Sequence, residues 1–209
     1  MVKNNIKRSR TMTVKFKSDI DIDFADREQV LDILDLTPAS IIRKGEIVKH
    51  NTGVYATAIP TDPFTGWASI DYEAAEDRGY TKLDLLNVNV YKGVRDEEHL
   101  VKLMREPDWT RLRDRAVCEQ LIHINNHYDT MLKMPEPVDS IPRLAMFLSV
   151  IRPAKRSLIG KSWKEVAETV WQKPTDETYY FKQAHAISYA QLVVVNLNLL
   201  CEQELLNDA

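Results

Sequence analysis

The chain has 209 residues, of which 44% are hydrophobic and 28% charged, which suits one large domain or two small ones. That balance excludes a chain that is disordered over most of its length, and a formal net charge of -3 excludes recognition of a polyanion by overall charge alone. Charge is instead distributed unevenly: Lys3, Lys7, Arg8, Arg10, Lys15 and Lys17 crowd the start, and Asp19, Asp21 and Asp23 follow at once. Such an arm is either a solvated terminus or a means of steering a phosphate chain toward the carboxylates.

Thr11 to Lys17 alternates apolar and polar residues and predicts a strand. Ile20, Ile22 and Phe24 continue the alternation and are expected to pack beneath the sheet, with Asp19, Asp21 and Asp23 on the other face. A helix from Ala25 or Asp26 to about Leu36 is expected to use Val30, Leu31, Ile33 and Leu34 as its apolar side, stopped by Thr37-Pro38. Ile41 to Pro60 reads as strands with Gly45 and Gly53 at turns, and residues 61–66 as a loop. A short helix from Tyr72 to Arg78 ends at Gly79, and Tyr80 to Val88 reads as a strand.

Beyond about Val94 the pattern becomes helical. Helices are predicted from Asp96 to Arg105, from Asp108 to about His123, from Ser140 to Ile151, from Ser162 to Trp171 and from Thr178 to Leu206. Ser162 and Glu165 have the spacing of a capping box. The predicted fold class is therefore α+β, a mixed-sheet half over residues 1–95 and an all-helical half over 96–209. Cys118 and Cys201 form no C-x-x-C pair and fit buried thiols in a reducing cytoplasm. No apolar leader is expected at the N-terminus, and Ala190 to Cys201, broken by Gln191, Asn196 and Asn198, is read as too short and polar to cross a bilayer. A cytoplasmic protein without a membrane partner is expected.

Chemistry is concentrated in Ser18-Asp-Ile-Asp-Ile-Asp-Phe24. Carboxylates in a row on one strand face repel each other unless a cation neutralises them, and hard divalent ions with oxygen ligands are the natural partners. Two such residues with a third on an adjacent strand can hold two Mg²⁺ for in-line phosphoryl transfer. The alternative is a solvent-facing acidic edge. A calcium loop is discounted, because Phe24 and Ala25 follow where its glycine would be needed. Asp84 lies in the apolar run Leu83 to Leu86, either paired with Lys82 on the same face or serving as a third ligand with Lys82 as a phosphate contact. His123 and His127, four apart, are read as a helix end rather than a metal site. Arg111, Arg113 and Arg115 read as a solvated face, while Arg152, Lys155, Arg156 and Lys161 form a denser basic cluster suited to phosphate contacts.

These segments, taken in order, resemble the C-family DNA polymerases, the bacterial DNA polymerase III alpha subunits. Ser18 to Phe24 with Ala-Asp-Arg27 resembles the family's Pro-Asp-x-Asp-x-Asp-Phe segment, and His50-Asn-Thr-Gly-Val54 its His-x-x-Gly-Val stretch. Lys82-Leu-Asp-Leu-Leu86 resembles its Lys-Phe-Asp-Phe-Leu strand, Arg152-Pro153 its Arg-Pro-Gly-Pro turn, and Tyr180-Phe-Lys-Gln183, more weakly, its Tyr-Gln-Glu-Gln segment. The resemblance runs from about Ser18 to Leu200. It implies a polymerase palm-like first half and a fingers-like second half. It puts the catalytic, metal-binding aspartates at Asp21, Asp23 and Asp84, with Lys82, His50, Arg152, Lys155 and Arg156 toward the substrate. His50 is equally well read as a structural histidine. The implied cofactor is Mg²⁺, two ions, or Mn²⁺, and the implied substrates are a DNA primer-template and dNTP.

The departures from the family are large. The Gly-Ser nucleotide-binding motif upstream of the aspartates is absent, Ser9-Arg10 and their neighbours standing in that space. The stretch between the aspartates and His50 is shortened, and Ala154-Lys155 replaces Gly-Pro. By the resemblance, the family's phosphoesterase-like, duplex-binding and clamp-binding regions are not expected within these 209 residues. The expectation is a reduced polymerase piece of a kind a phage genome could carry, acting in a bacterial or phage-infected cell with a second polymerase chain or replisome proteins. The rival expectation is a palm-derived module that binds DNA or the replisome without catalysis.

Overall fold

Strand β1 (Ile20–Phe24) lies parallel to β4 (Leu83–Asn87), and parallel neighbours require a crossover between them. The crossover contains helix α1 (Arg27–Ile33), the hairpin of β2 (Thr37–Arg43) and β3 (Glu46–Tyr55), and helix α2 (Tyr72–Asp77). With β3 antiparallel to both β2 and β4, the sheet order is β1-β4-β3-β2, a mixed sheet in an α+β fold. This computed structural model describes residues 20–176 and 178–207; the basic arm, the strand expected at 11–17 and Asp19 lie outside the described residues.

Lys44 and Gly45 both have positive φ, 52° and 85°, the condition for a tight two-residue hairpin turn, and they join β2 to β3. Gly53 does not sit at a turn as expected. Pro38 faces Val54 and Ser40 faces Lys49, so Ala39 alone of β2 lies opposite the four residues His50 to Gly53 of β3. That segment bulges out of the pairing, and a bulge re-aims the side chains it carries. Ala39, Tyr55, Ile59, Ala68 and Ala75 form a small core beneath it, with Ile70 and Tyr80 at its margin. Asp71 caps α2 by accepting from the amides of Glu73 and Ala74, and Gly79, at φ 88°, follows the helix as expected.

Two apolar expectations are corrected. Ile20 and Ile22 are exposed rather than packed beneath the sheet, because β1 is an edge strand. Helix α1 ends at Ile33, short of the expected Leu36, and buries no residue, leaving Ile33 80% exposed; Thr37-Pro38 opens β2.

The chain divides into two compact units, the first ending at Asn89 and the second beginning at Val90. The second contains α3 (Glu97–Leu103), α4 (Arg115–Cys118), α5 (Tyr128–Met131), α6 (Ile141–Val150), α7 (Trp163–Thr169) and α8 (Gln183–Asn207). Leu144, Phe147, Leu148 and Val150 of α6 form a core with Ala186, Ala190, Val193, Val194 and Leu197 of α8. By length and composition α8 is long and apolar enough to cross a membrane, a test that the buried core helix of a protein also passes. Its polar residues have partners: Asn196 Oδ1 accepts from the Ile122 amide at 2.9 Å, and Asn198 Nδ2 donates to the carbonyls of Leu103 and Arg105.

The single helix expected from Asp108 to His123 is instead a 3₁₀ turn over Trp109–Arg113, then α4, then turns that include His123 at φ 66°. Asp108 and Asp114 each accept from an amide two residues on, and this local bonding restarts the chain twice. The terminal helix starts at Gln183, five residues later than the expected Thr178. Buried Cys118 donates to the Leu112 carbonyl, and burial pushes its thiol up to about 11, which leaves it protonated and unreactive.

Lys155 is buried, and its Nζ donates to the carbonyls of Thr169 at 2.8 Å and Gln172 at 2.7 Å, so it closes the C-terminal end of α7. At the other end of that helix, Ser162 and Glu165 form the expected capping box. Replacing Lys155 with Met keeps the aliphatic stem and removes both bonds. We expect Lys155→Met to lower unfolding stability by about 1–3 kcal/mol, read from the midpoint of a urea titration.

Candidate functional site

The register of the sheet puts Asp21 directly beside Asp84 across the β1–β4 pairing, and Asp23 beside Leu86. Side chains two apart on a strand share a face, so Asp21, Asp23 and Asp84 project from one face of the sheet. Asp21 and Asp23 are exposed, while Asp84 is partly buried in the interior strand. Across the β3–β4 pairing, the residue facing Asp84 is Gly53.

The bulge in β3 delivers the partners of Asp84. Thr52 Oγ1 donates to Asp84 Oδ1 at 2.7 Å, and Lys82 Nζ forms a close ion pair with Oδ2. His50 Nδ1 lies 3.8 Å from Asp84 Oδ1 but accepts from the Gly53 amide at 2.9 Å and the Thr52 amide at 3.3 Å. A ring nitrogen that accepts from an amide carries no proton, so His50 is the Nε2–H tautomer and its contact with Asp84 is not an ion pair. Burial and the Lys82 charge lower the His50 pKa, with Asp84 opposing them. His50 is therefore an anchor for the bulge. Arg27 of α1 fixes the same segment from outside, its Nη1 donating to the Asn51 carbonyl at 2.5 Å.

The electrostatics of the carboxylates differ. At Asp84 burial acts upward, but the hydrogen bonds from Lys82 and Thr52 and the nearby positive charge outweigh it and hold the carboxyl below its ordinary range. Asp23 is shifted up, first by the protein crowding its carboxyl group and then by the charge of Asp21. Asp84 thus has its own positive partner, whereas Asp23 feels the charge of Asp21. Among the described residues, no three His, Cys, Asp or Glu side chains converge to hold an ion.

The structure thus brings Asp21, Asp23, Asp84, Lys82 and His50 into one neighbourhood. Thr52 and Arg27 belong to it and were not singled out from the sequence, and Gly53 reads there only as a turn, though all three lie inside the motifs. A Cβ on Gly53 would meet Lys82 Cδ at 2.7 Å, His50 Nδ1 at 2.9 Å and Ala39 Cβ at 3.1 Å, so only glycine leaves room for both side chains. Tyr72 adds an edge-on ring contact to His50 at 5.5 Å and lies under Lys82 Nζ at 5.6 Å.

Arg152, Lys155 and Arg156 belong to the second unit. Lys155 is committed to α7, as described above. Arg152 lies over the Phe181 ring, and Arg156 is exposed. Comparison of the chain with family models, with curated proteins and with solved structures finds no match in any of the three.

The opposed shifts at Asp84 and Asp23 give opposed predictions. A carboxyl held low in the folded state stabilises the fold above the ordinary carboxylate range, and that stability is lost as pH falls through the folded value. A carboxyl held high penalises the fold at neutral pH, and the penalty is lifted as pH falls. At pH 7 we expect Asp84→Asn to destabilise the protein by about 1–3 kcal/mol, since Lys82 loses its charged partner. Asp23→Asn is expected to stabilise it by no more than about 1 kcal/mol, because solvent screens an exposed charge. Thermal unfolding of both variants from pH 7 to pH 3 measures the signs.

Proposed function

We propose that this chain is a reduced C-family DNA polymerase-like nucleotidyltransferase. In this reading the first unit is palm-like, the second is fingers-like and helical, and a Gly-Ser nucleotide-binding element would come from a partner chain or from elsewhere in the protein. The observation that carries it is the placement of Asp21 against Asp84 in adjacent parallel strands, with Asp23 on the same face. Two divalent ions, Mg²⁺ or Mn²⁺, would be held by Asp21, Asp23 and Asp84. The raised Asp23 fits a cation, because two carboxylates that repel each other gain most from one. When bound, such ions polarise a phosphoryl oxygen and lower the pKa of an attacking 3′-hydroxyl. Lys82 is placed to exchange Asp84 for a phosphate oxygen, since its ammonium reaches the same face. Asp21 and Asp23, exposed at the surface, are positioned to receive a primer end, and Arg152 and Arg156 are the remaining candidates for phosphate contacts. Lys155, engaged within the fold, is left out of that set.

A second reading is favoured by a specific observation. Both oxygens of Asp84 are occupied, by Thr52 and by Lys82. A lysine that neutralises the third carboxylate replaces the metal, and the unit would then be a palm-derived module that binds DNA or replisome proteins without catalysis.

Primer extension with Mg²⁺ or Mn²⁺ separates the two, using the chain alone and with the replication proteins of its own genome or host. The catalytic reading expects extension that Asp21→Asn reduces by about 10²-fold or more, the scale of losing one electrostatic stabiliser of a transition state. Asp21 is exposed, so that variant is expected to stay folded. Failure to extend in every mixture, with DNA binding intact in both proteins, would leave the binding module.

A further inference from the structure

The second unit carries a cluster whose charges are unbalanced. Arg111 pairs with Glu204, Arg115 with Asp129 and Glu119, and Arg143 with Glu136 and Asp139. Among the described residues, no carboxylate pairs with Arg152 or Arg156. The Cζ of Arg152 stands 3.9 Å from the centroid of the Phe181 ring, and its Nε is buried without a hydrogen-bond partner. Phe181 in turn stacks on Tyr189 at 5.4 Å and 17°, so the guanidinium rests on a rigid aromatic floor.

His123 flanks the same floor, its ring edge-on to Tyr189 at 4.4 Å. It has positive φ, 66°, and its Nε2 is a second buried polar atom without a partner. A non-glycine residue in that conformation, joined to an orphaned ring nitrogen, is the kind of local strain that gathers where a ligand is held. His127 lies within the fields of both Arg152 and Arg156.

We propose that Arg152, Arg156, His123 and His127 form a seat for one phosphate group. The residues differ from those of a metal site in sign: two guanidinium charges repel a cation and attract an anion. Arg152 presents a planar fork suited to two oxygens of one phosphate, and its stacking on Phe181 removes much of the freedom it would otherwise lose on binding. Burial and the Arg152 charge lower both histidines, so they are neutral at pH 7 and each offers an N–H donor. The ionisable groups acting on them are Arg152 and Arg156, and those acting on Arg152 are Tyr179 and Tyr189. Tetrahedral phosphate, with oxygens in several directions, suits four donors from two chain segments better than a planar carboxylate does.

The seat rests on the phosphate role proposed above for Arg152 and Arg156, and because it lies wholly within the second unit its failure is distinguishable from failure of the aspartates of the first unit to bind metal. The test is a titration of the full-length protein, following the His123 and His127 ring signals by NMR. Inorganic phosphate is the first probe and a nucleoside triphosphate the second. The expected result is saturable movement of both rings by about 10 mM inorganic phosphate. Arg156→Gln and Arg152→Gln should each weaken the response about tenfold, the effect of one charge-assisted bond. Tighter response to the triphosphate than to inorganic phosphate would assign the group to a nucleotide, and equal response would assign it to free phosphate. Arg156 is exposed, so its variant is expected to fold even if the Arg152 variant does not. Absence of a saturable response to either probe, or a response that Arg156→Gln leaves unchanged, would overturn the proposal.

Discussion

A carboxylate in an interior strand must be neutralised, and Asp84 meets that constraint among Leu83, Leu85 and Leu86. Lys82 supplies the charge, Thr52 supplies a hydroxyl, and the four-residue excursion of β3 brings Thr52 within reach. The excursion is held in turn by the His50 ring from within and by Arg27 from α1. Gly53 makes the arrangement possible because it has no Cβ where the Lys82 stem and the His50 ring pass. Much of the local geometry of the first unit follows from where that one carboxylate lies.

The second unit handles polarity differently. Its long helix α8 is a core element, yet Asn196, Asn198 and Gln191 on it satisfy backbone groups of other segments, which is what buried polar residues must do. At its C-terminal end Glu202 receives His99 Nε2 at 2.8 Å and Lys102 Nζ at 3.2 Å, tying α3 to α8. His99 Nδ1 accepts from the Arg95 amide, so its proton is on the nitrogen facing Glu202. Lys155 does comparable work at the end of α7. Against this background of satisfied groups, the orphaned atoms of Arg152 and His123 stand apart.

The alternation Ile20 to Phe24 and the run Leu83 to Leu86 were legible because a strand's period of two is written directly in the residues. The same holds for Asp96 and Ser162, whose capping roles need only local spacing. That Asp21 and Asp84 share a face was expected from the resemblance, but their parallel register depends on a crossover that no local pattern encodes. Gly53 was misread as a turn because a glycine required by close approach and one required by a turn look alike in sequence. Apolar periodicity also failed at α1, where Ile33 and Leu34 are exposed: periodicity reports which face could be buried, and neighbouring elements decide whether it is. Lys155 looked like a phosphate contact beside Arg152 and Arg156, and only three-dimensional packing brings its ammonium to the end of α7.

The Lys82–Asp84 pair bears on both functional readings. For a metal to use Asp84, Lys82 must leave it, and the cost of that exchange depends on what the lysine gains. A phosphate delivered to the same face would give Lys82 a new anionic partner as the metal took its place, so substrate and metal would favour each other through one lysine. Without a phosphate the exchange strands an ammonium that is only partly solvated. The same ion pair that closes the site in the free chain can therefore make metal binding conditional on substrate, whereas in a binding module it would simply persist. Asp21 and Asp23 lie outside that exchange, the charge of Asp21 raising Asp23 in either case. Between the two proposed readings, the distinction then reduces to whether Asp84 can be released from Lys82.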